Sequence, residues 1–268
     1  MPAFMANHGM PIWIELSTSD LRKSSHFYSE ILGWHLDDGD QYRIARSQGL
    51  PVGGFVGQVD STMPDAWVTY FYTENLDESA LRVSELGGRV LAEPTEVTRG
   101  RVALCVDTAG ALFGLMETDE TFLAGGEPGT AVWHELTATG HYGEAVEFYE
   151  QLFGWATSAM SDQNFNYTTA LVDGAAFAGI WDAQGQFPPH IPSFWQTYLG
   201  VASVDALVGK VKELGGDIMR EPWDSEFGRM MIIADSTGAT ITLCEAPEPV
   251  AEGREEDPLE GIDLSQFQ

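Results

Sequence analysis

Residues 27–34 read Phe-Tyr-Ser-Glu-Ile-Leu-Gly-Trp, and residues 148–155 read Phe-Tyr-Glu-Gln-Leu-Phe-Gly-Trp. Each ends an amphipathic segment with glycine at the helix stop, followed by tryptophan. Working outward, the agreement continues in register. Trp13-Ile-Glu-Leu16 matches Trp133-His-Glu-Leu136, Trp67-Val-Thr-Tyr70 matches Trp195-Gln-Thr-Tyr198, and Glu85-Leu-Gly-Gly88 matches Glu213-Leu-Gly-Gly216. Gly100-Arg101, Asp107, Gly110-Ala111 and Glu117 recur 128 positions later at Gly228-Arg229, Asp235, Gly238-Ala239 and Glu245. So many matches in order are the mark of duplication.

Each half divides again into two units of about 50 residues with one order of elements. A strand at Pro11–Ser17 leads to a helix from Asp20 to Leu32, then short strands at Trp34–Leu36, Gln41–Ser47 and Pro51–Val56. The second unit repeats this with a strand at Trp67–Thr73, a helix over Asn75–Leu86 and strands near Arg89–Leu91, Arg101–Asp107 and Ala111–Met116. In the fourth unit Ser203 is placed as N-cap of a helix carrying Val204, Leu207, Val211 and Leu214. The expected class is α+β: four βαβββ modules in two domains whose mixed sheets curl into cups. Domain 1 spans 1–119 (modules 11–60 and 66–117) and domain 2 spans 131–247 (modules 131–183 and 194–246). A Gly/Pro-rich linker, 120–130, joins them, and 248–268 form a tail with seven acidic residues and one Arg. A lone module buries too little to fold, so modules pair, in a combination the pattern leaves open.

The chain has 268 residues, 13 basic and 41 acidic, for a net charge of −28. Such a surface repels phosphate backbones and anionic lipid, which speaks against nucleic-acid and membrane partners. No apolar run approaches the roughly 20 residues of a membrane span, no signal peptide is visible, and the expected location is cytoplasmic. Cys105 and Cys244, both in strand-like runs, read as small buried hydrophobes.

The paired Phe-Tyr-x3-Leu/Phe-Gly-Trp segments and the two Asp-x-x-Gly-Ala turns (Asp107–Ala111, Asp235–Ala239) resemble the vicinal oxygen chelate superfamily, which holds glyoxalases, bleomycin-resistance proteins and extradiol dioxygenases. The resemblance covers 11–117 and 131–245, and the Trp-x-Glu-Leu openings are similar to tandem two-domain glyoxalase-like proteins of actinobacterial type. It implies a divalent metal in the cup, held by His or Gln of a first strand and Glu of a last strand. Those positions carry Trp13 and Trp133, Val68 and Gln196, and Gly114 and Thr242 here, a set in which only Gln196 is a donor. The ligand positions therefore do not support the metal, and the cofactor stays unknown. His134 is an outside candidate, set by strand parity on the face shared with Val132 and Leu136. The other histidines (His8, His26, His35, His141, His190) share no ligand spacing.

Parity also lists what faces the cups: Trp13, Glu15 and Ser17 with their mates Trp133, Glu135 and Thr137, then Val68, Tyr70 and Tyr72, and Gln196 with Tyr198. Ile12, Ile14, Leu16, Phe71, Leu199 and Val201 fall to the core. Glu15 and Glu135 are the candidate catalytic groups, since a carboxyl in an apolar setting has a raised pKa and serves as general base. Trp13, Tyr70, Trp133, Gln196 and Tyr198 are the candidate substrate-binding residues. Alternatively, the two glutamates tie strands together by pairing with Arg101 and Arg229. The expected partner is a small organic ligand, for a monomer with pseudo-dimeric halves or a homodimer. The function expected is that of an enzyme (lyase, dioxygenase or hydroxylase-like) acting on an oxygenated organic substrate. The rivals are a sequestering protein of bleomycin-resistance type, binding an antibiotic or toxic metabolite, and a scaffold for a protein partner.

Overall fold

A computed structural model describes residues 3–59, 63–162, 165–225 and 227–246. The acidic tail therefore lies outside the described residues. The first half comprises β1 (Ala3–Met5), β2 (Pro11–Thr18), α1 (Leu21–Leu32), β3 (His35–Leu36), β4 (Tyr42–Ser47), β5 (Leu50–Gly57), β6 (Ala66–Tyr72), α2 (Leu76–Glu85), β7 (Arg89–Val97), β8 (Gly100–Val106), β9 (Leu112–Glu117) and β10 (Phe122–Ala124). The second comprises β11 (Ala131–Ala138), α3 (Tyr142–Phe153), β12 (Ala156–Asp162), β13 (Phe165–Val172), β14 (Ala175–Asp182), β15 (Phe194–Val201), α4 (Leu207–Glu213), β16 (Asp217–Ser225), β17 (Gly228–Ala234) and β18 (Thr240–Glu245). The class is α+β, and the four βαβββ modules are present in order.

Two eight-stranded mixed sheets result, ordered β3-β4-β5-β2-β6-β9-β8-β7 and β12-β13-β14-β11-β15-β18-β17-β16. The first module thus pairs with the second through β2 and β6, and the third with the fourth through β11 and β15, both antiparallel. The hydrophobic cores combine modules differently. One joins Phe71, Val83 and Phe113 of module two to Tyr149, Trp155 and Trp195 of the second half. The other joins Leu16, Tyr28 and Phe55 to Leu199, Met231 and Leu243. The helix-bearing faces are therefore packed back to back across the halves, leaving the opposite faces as cups.

The repeated motifs lock that packing. Trp195 Nε1 donates to Tyr149 Oη (2.7 Å), whose hydroxyl donates to Asp107 Oδ2 (2.9 Å). Asp107 Oδ1 meanwhile accepts from the Ala109 and Ala111 amides, closing its turn. The mate Trp67 donates to Tyr28 (2.9 Å), and Asp235 closes the equivalent turn through Thr237 and Ala239. The motif tryptophans reach backbone carbonyls far along the chain: Trp34 to Gly129 (2.8 Å) and Trp155 to Gly9 (3.0 Å).

The segment joining the halves is ordered: β10 pairs with β1, and Glu127 is buried. Several expectations change. Ser203 is not a helix N-cap, because α4 begins only at Leu207. Glu245 accepts from the Val204 amide (2.9 Å) instead, as Glu117 does from Leu76 (2.8 Å). β7 runs to Val97 despite Pro94, since an edge strand with register shifts tolerates a missing donor. A bulge between Pro11 and Trp13 moves Ile12 out of the expected core face, and it packs with Trp13, Val68 and Tyr70 on the cup side. Arg101 and Arg229 pair with the surface carboxylates of Asp77 and Asp205, not with Glu15 or Glu135. Cys105 and Cys244 are free and buried. No helix among the described residues is long and apolar enough to cross a membrane.

Candidate functional site

Both Trp-x-Glu strands aim Trp and Glu at the concave face of their own sheet. In the first half a cavity of about 250 Å³ is lined by Trp13, Glu15, Tyr42, Tyr70, Arg99 and Met116, among others. Tyr70 Oη donates to Glu15 Oε1 (3.1 Å), and Trp13 Nε1 donates to Tyr42 Oη (3.1 Å). The Tyr42 hydroxyl hydrogen-bonds Glu15 as well. Burial raises the Glu15 pKa above 4.5, against the lowering effect of the tyrosine hydroxyls. Arg99, on the turn between β7 and β8, overhangs this cup with its guanidinium 4.3 Å from the centroid of the Trp13 ring. Val68 and Tyr72 pack in the cluster with Trp13 and Tyr70 and are not among the cavity-lining residues; neither is Ser17.

The second cup repeats the chemistry but satisfies it internally. Glu135 is 9% exposed, and both its oxygens are taken. Tyr167 donates to Oε2 (2.8 Å), and Tyr198 (2.9 Å) and Gln196 (3.2 Å) donate to Oε1. Trp133 donates to Tyr167 (3.0 Å), and the Gln196 amide also reaches Thr137 Oγ1 (3.1 Å). Its carbonyl accepts from Thr242 Oγ1 (3.2 Å). Burial raises the Glu135 pKa too, opposed by these three donors. All the expected cup residues of this half, Trp133, Glu135, Thr137, Gln196 and Tyr198, thus belong to one hydrogen-bonded network.

Sequence reading missed Tyr42, Tyr167 and Arg99. The two tyrosines are mates whose phenols reach the cup over glycines: a Cβ on Gly54 would collide with Tyr42, and one on Gly179 with Tyr167. The glycines were the available signal, since a strand glycine marks a close approach. Arg99 has no such signal, because its repeat position is Phe227.

The donor set does not fit the metal that the superfamily resemblance implies. The Tyr70 ring fills the space into which a side chain at Gly114 would project. Gln196 is already engaged at both ends of its amide. No group of three His, Cys, Asp or Glu suited to a metal ion occurs among the described residues. His134 points away from the cup into the seam between the sheets. There it shares a 3.0 Å hydrogen bond with Thr197, which in turn meets Thr69 (3.2 Å).

Burial pushes the His134 pKa down to about 4 from 6.5. A depressed base contributes stability that is complete above the unfolded value of 6.5 and drains as pH falls toward 4. The ceiling is about 3 kcal/mol, less whatever partial exposure screens. His134→Asn, which keeps an acceptor toward Thr197, should therefore lose less thermal stability between pH 7.5 and 4.5 than the wild type does. Parallel losses in calorimetry would contradict this placement.

Comparison with known proteins agrees with the geometry. Residues 133–243 match the Glyoxalase/Bleomycin resistance protein/Dioxygenase superfamily, and residues 13–116 match a Glyoxalase-like domain. The anthracycline biosynthesis protein DnrV of Streptomyces peucetius is 31% identical over 277 residues, covering 91% of this chain and 97% of the relative. A Mycobacterium tuberculosis protein provisionally named glyoxylase CFP32 is 29% identical over 255 residues, covering 90% and 96%. Among solved structures, the Mn(II)-bound glyoxalase from Novosphingobium aromaticivorans aligns with a TM-score of 0.61 at 17% identity, covering 91% of this chain and 85% of that one. The chain belongs to the glyoxalase/bleomycin resistance/dioxygenase superfamily, as a tandem of two glyoxalase-like domains.

Proposed function

We propose that this protein is an enzyme acting on a small oxygenated organic substrate in the N-terminal cup, with Glu15 as its proton-transfer group. The observation that carries the reading is Glu15 itself: a desolvated carboxyl, oriented by Tyr70, on the wall of a cavity ringed by Trp13, Tyr42 and Met116. A carboxylate with a raised pKa is a stronger base than one in water and stays ionised at neutral pH when the shift is modest. Deprotonating a substrate hydroxyl, or a carbon beside a carbonyl, needs no more from the protein than that base and a donor for the oxygen. Tyr42, whose hydroxyl is hydrogen-bonded to Glu15, is freed to be that donor once Glu15 has taken the proton.

The cavity suits a single substituted ring, since an apolar cavity of ~150 Å³ takes benzene. One ring of a larger polycycle would fit in the same way. The relatives named for anthracycline biosynthesis support a polycyclic, oxygen-rich substrate for this chain too. A sequestering role is the second reading, favoured by the unmatched metal-donor positions. Incubating the protein with hydroxylated quinones, polyketides and dicarbonyls, then analysing each compound by mass spectrometry, separates the two. The enzyme reading expects conversion of at least one compound at catalytic protein. Tight binding with complete recovery of unchanged ligand would replace it with the sequestering role.

A further inference from the structure

The geometry points to a ligand that carries an acidic oxygen, a carboxylate or an ionised phenol or enol, bound by Arg99 while a hydroxyl of the same molecule meets Glu15. This deepens the proposed function and rests on its placement of the ligand in the N-terminal cup. Arg99 lines that cavity, yet its side chain is only 10% exposed. One edge of the guanidinium is committed: Nη1 lies 2.8 Å from Glu120 Oε2. Its Nε is buried with no hydrogen-bond partner among the described residues. A charged donor held against a tryptophan and left unsatisfied is costly unless something completes it. A planar oxyanion answers both needs, because guanidinium binds carboxylates in its own plane.

The second cup serves as an internal control. Arg99 corresponds to Phe227 there, which is 74% exposed, and Glu135 is already saturated by Tyr167, Tyr198 and Gln196. Among the described residues, the first cup has a buried cation with an unpartnered nitrogen, and the second has none at the matching position. Glu120, by contrast, is well exposed at the mouth and competes with the ligand for the guanidinium.

The test uses the full chain at pH 7.5 and two matched probes, 4-hydroxybenzoate and its neutral amide, 4-hydroxybenzamide, titrated by calorimetry. The wild type should bind the acid about tenfold more tightly than the amide. Arg99→Gln should erase that preference, leaving the amide's affinity within about twofold of its original value. Glu120→Gln, a mild surface change, should tighten the acid about threefold by removing the competitor, and it serves if Arg99→Gln folds poorly. Equal affinities for acid and amide on the wild type, or a preference that survives Arg99→Gln, would overturn the anionic assignment while leaving the cup as a binding site. Failure of both probes to bind at millimolar concentration would take the cup reading down with it.

Discussion

Replacing Trp195 with alanine should cost about 3–5 kcal/mol of unfolding free energy. Trp195 is 6% exposed and stands where the halves meet. Its ring lies 4.9 Å from that of Phe71, 5.4 Å from Tyr149 and 6.4 Å from Trp155, so deletion opens a hole that rigid aromatic neighbours on several elements cannot close. The indole N–H also heads the chain through Tyr149 to Asp107, which crosses from the second half to the first. Tyr149→Phe isolates the polar part of that cost. It keeps the ring but strips a partner from both the indole and the carboxylate, at about 1–3 kcal/mol for each group left buried and unpaired. Chemical denaturation of both variants checks the ordering. A loss below about 1 kcal/mol for Trp195→Ala would mean the halves are not held by this contact.

That relay explains why the fold was readable from one sequence and the site less so. Many of the residues that repeat serve the packing between halves: Trp67 and Trp195, Tyr28 and Tyr149, Asp107 and Asp235. Duplicated cores need duplicated locks, so repetition reports architecture. Strand parity then placed Trp13, Glu15, Tyr70, Trp133, Glu135, Gln196 and Tyr198 on the cup faces, since alternation along a strand survives without tertiary information. It failed at Ile12, where a bulge breaks the alternation. It also missed Tyr42 and Tyr167, whose spacing from their tryptophans differs by five residues between the halves. Arg99 was invisible for a deeper reason. It stands where the two copies differ, on a turn, and nothing local to a turn says which cup it will cover. Differences between the copies carry the functional information: Arg99 against Phe227, Gly114 against Thr242, Val68 against Gln196.

The second large effect separates the two glutamates that the repeat makes look equivalent. Glu15→Gln should lower kcat/KM by about 100-fold or more, the usual worth of a positioned general base. The shape is preserved and the proton acceptor is lost. Glu135→Gln should leave kcat/KM within about twofold, because that carboxyl is buried and already saturated by its own neighbours. Its effect lies in stability. Burial raises the Glu135 pKa, so the stability it contributes is complete below 4.5 and is lost as pH rises through the folded value. Glu135→Gln should thus gain in melting temperature relative to wild type on going from pH 4.5 to pH 8. Wild-type activity should itself climb with pH as Glu15 ionises, the direction expected of a base.

On the proposed function, duplication left two similar cups of which only the N-terminal one turns over substrate. Measuring kcat/KM side by side for wild type, Glu15→Gln and Glu135→Gln, on a substrate the wild type converts, tests it most directly. A deep loss confined to Glu15→Gln is the result expected; equal losses in both variants, or a loss confined to Glu135→Gln, would contradict it.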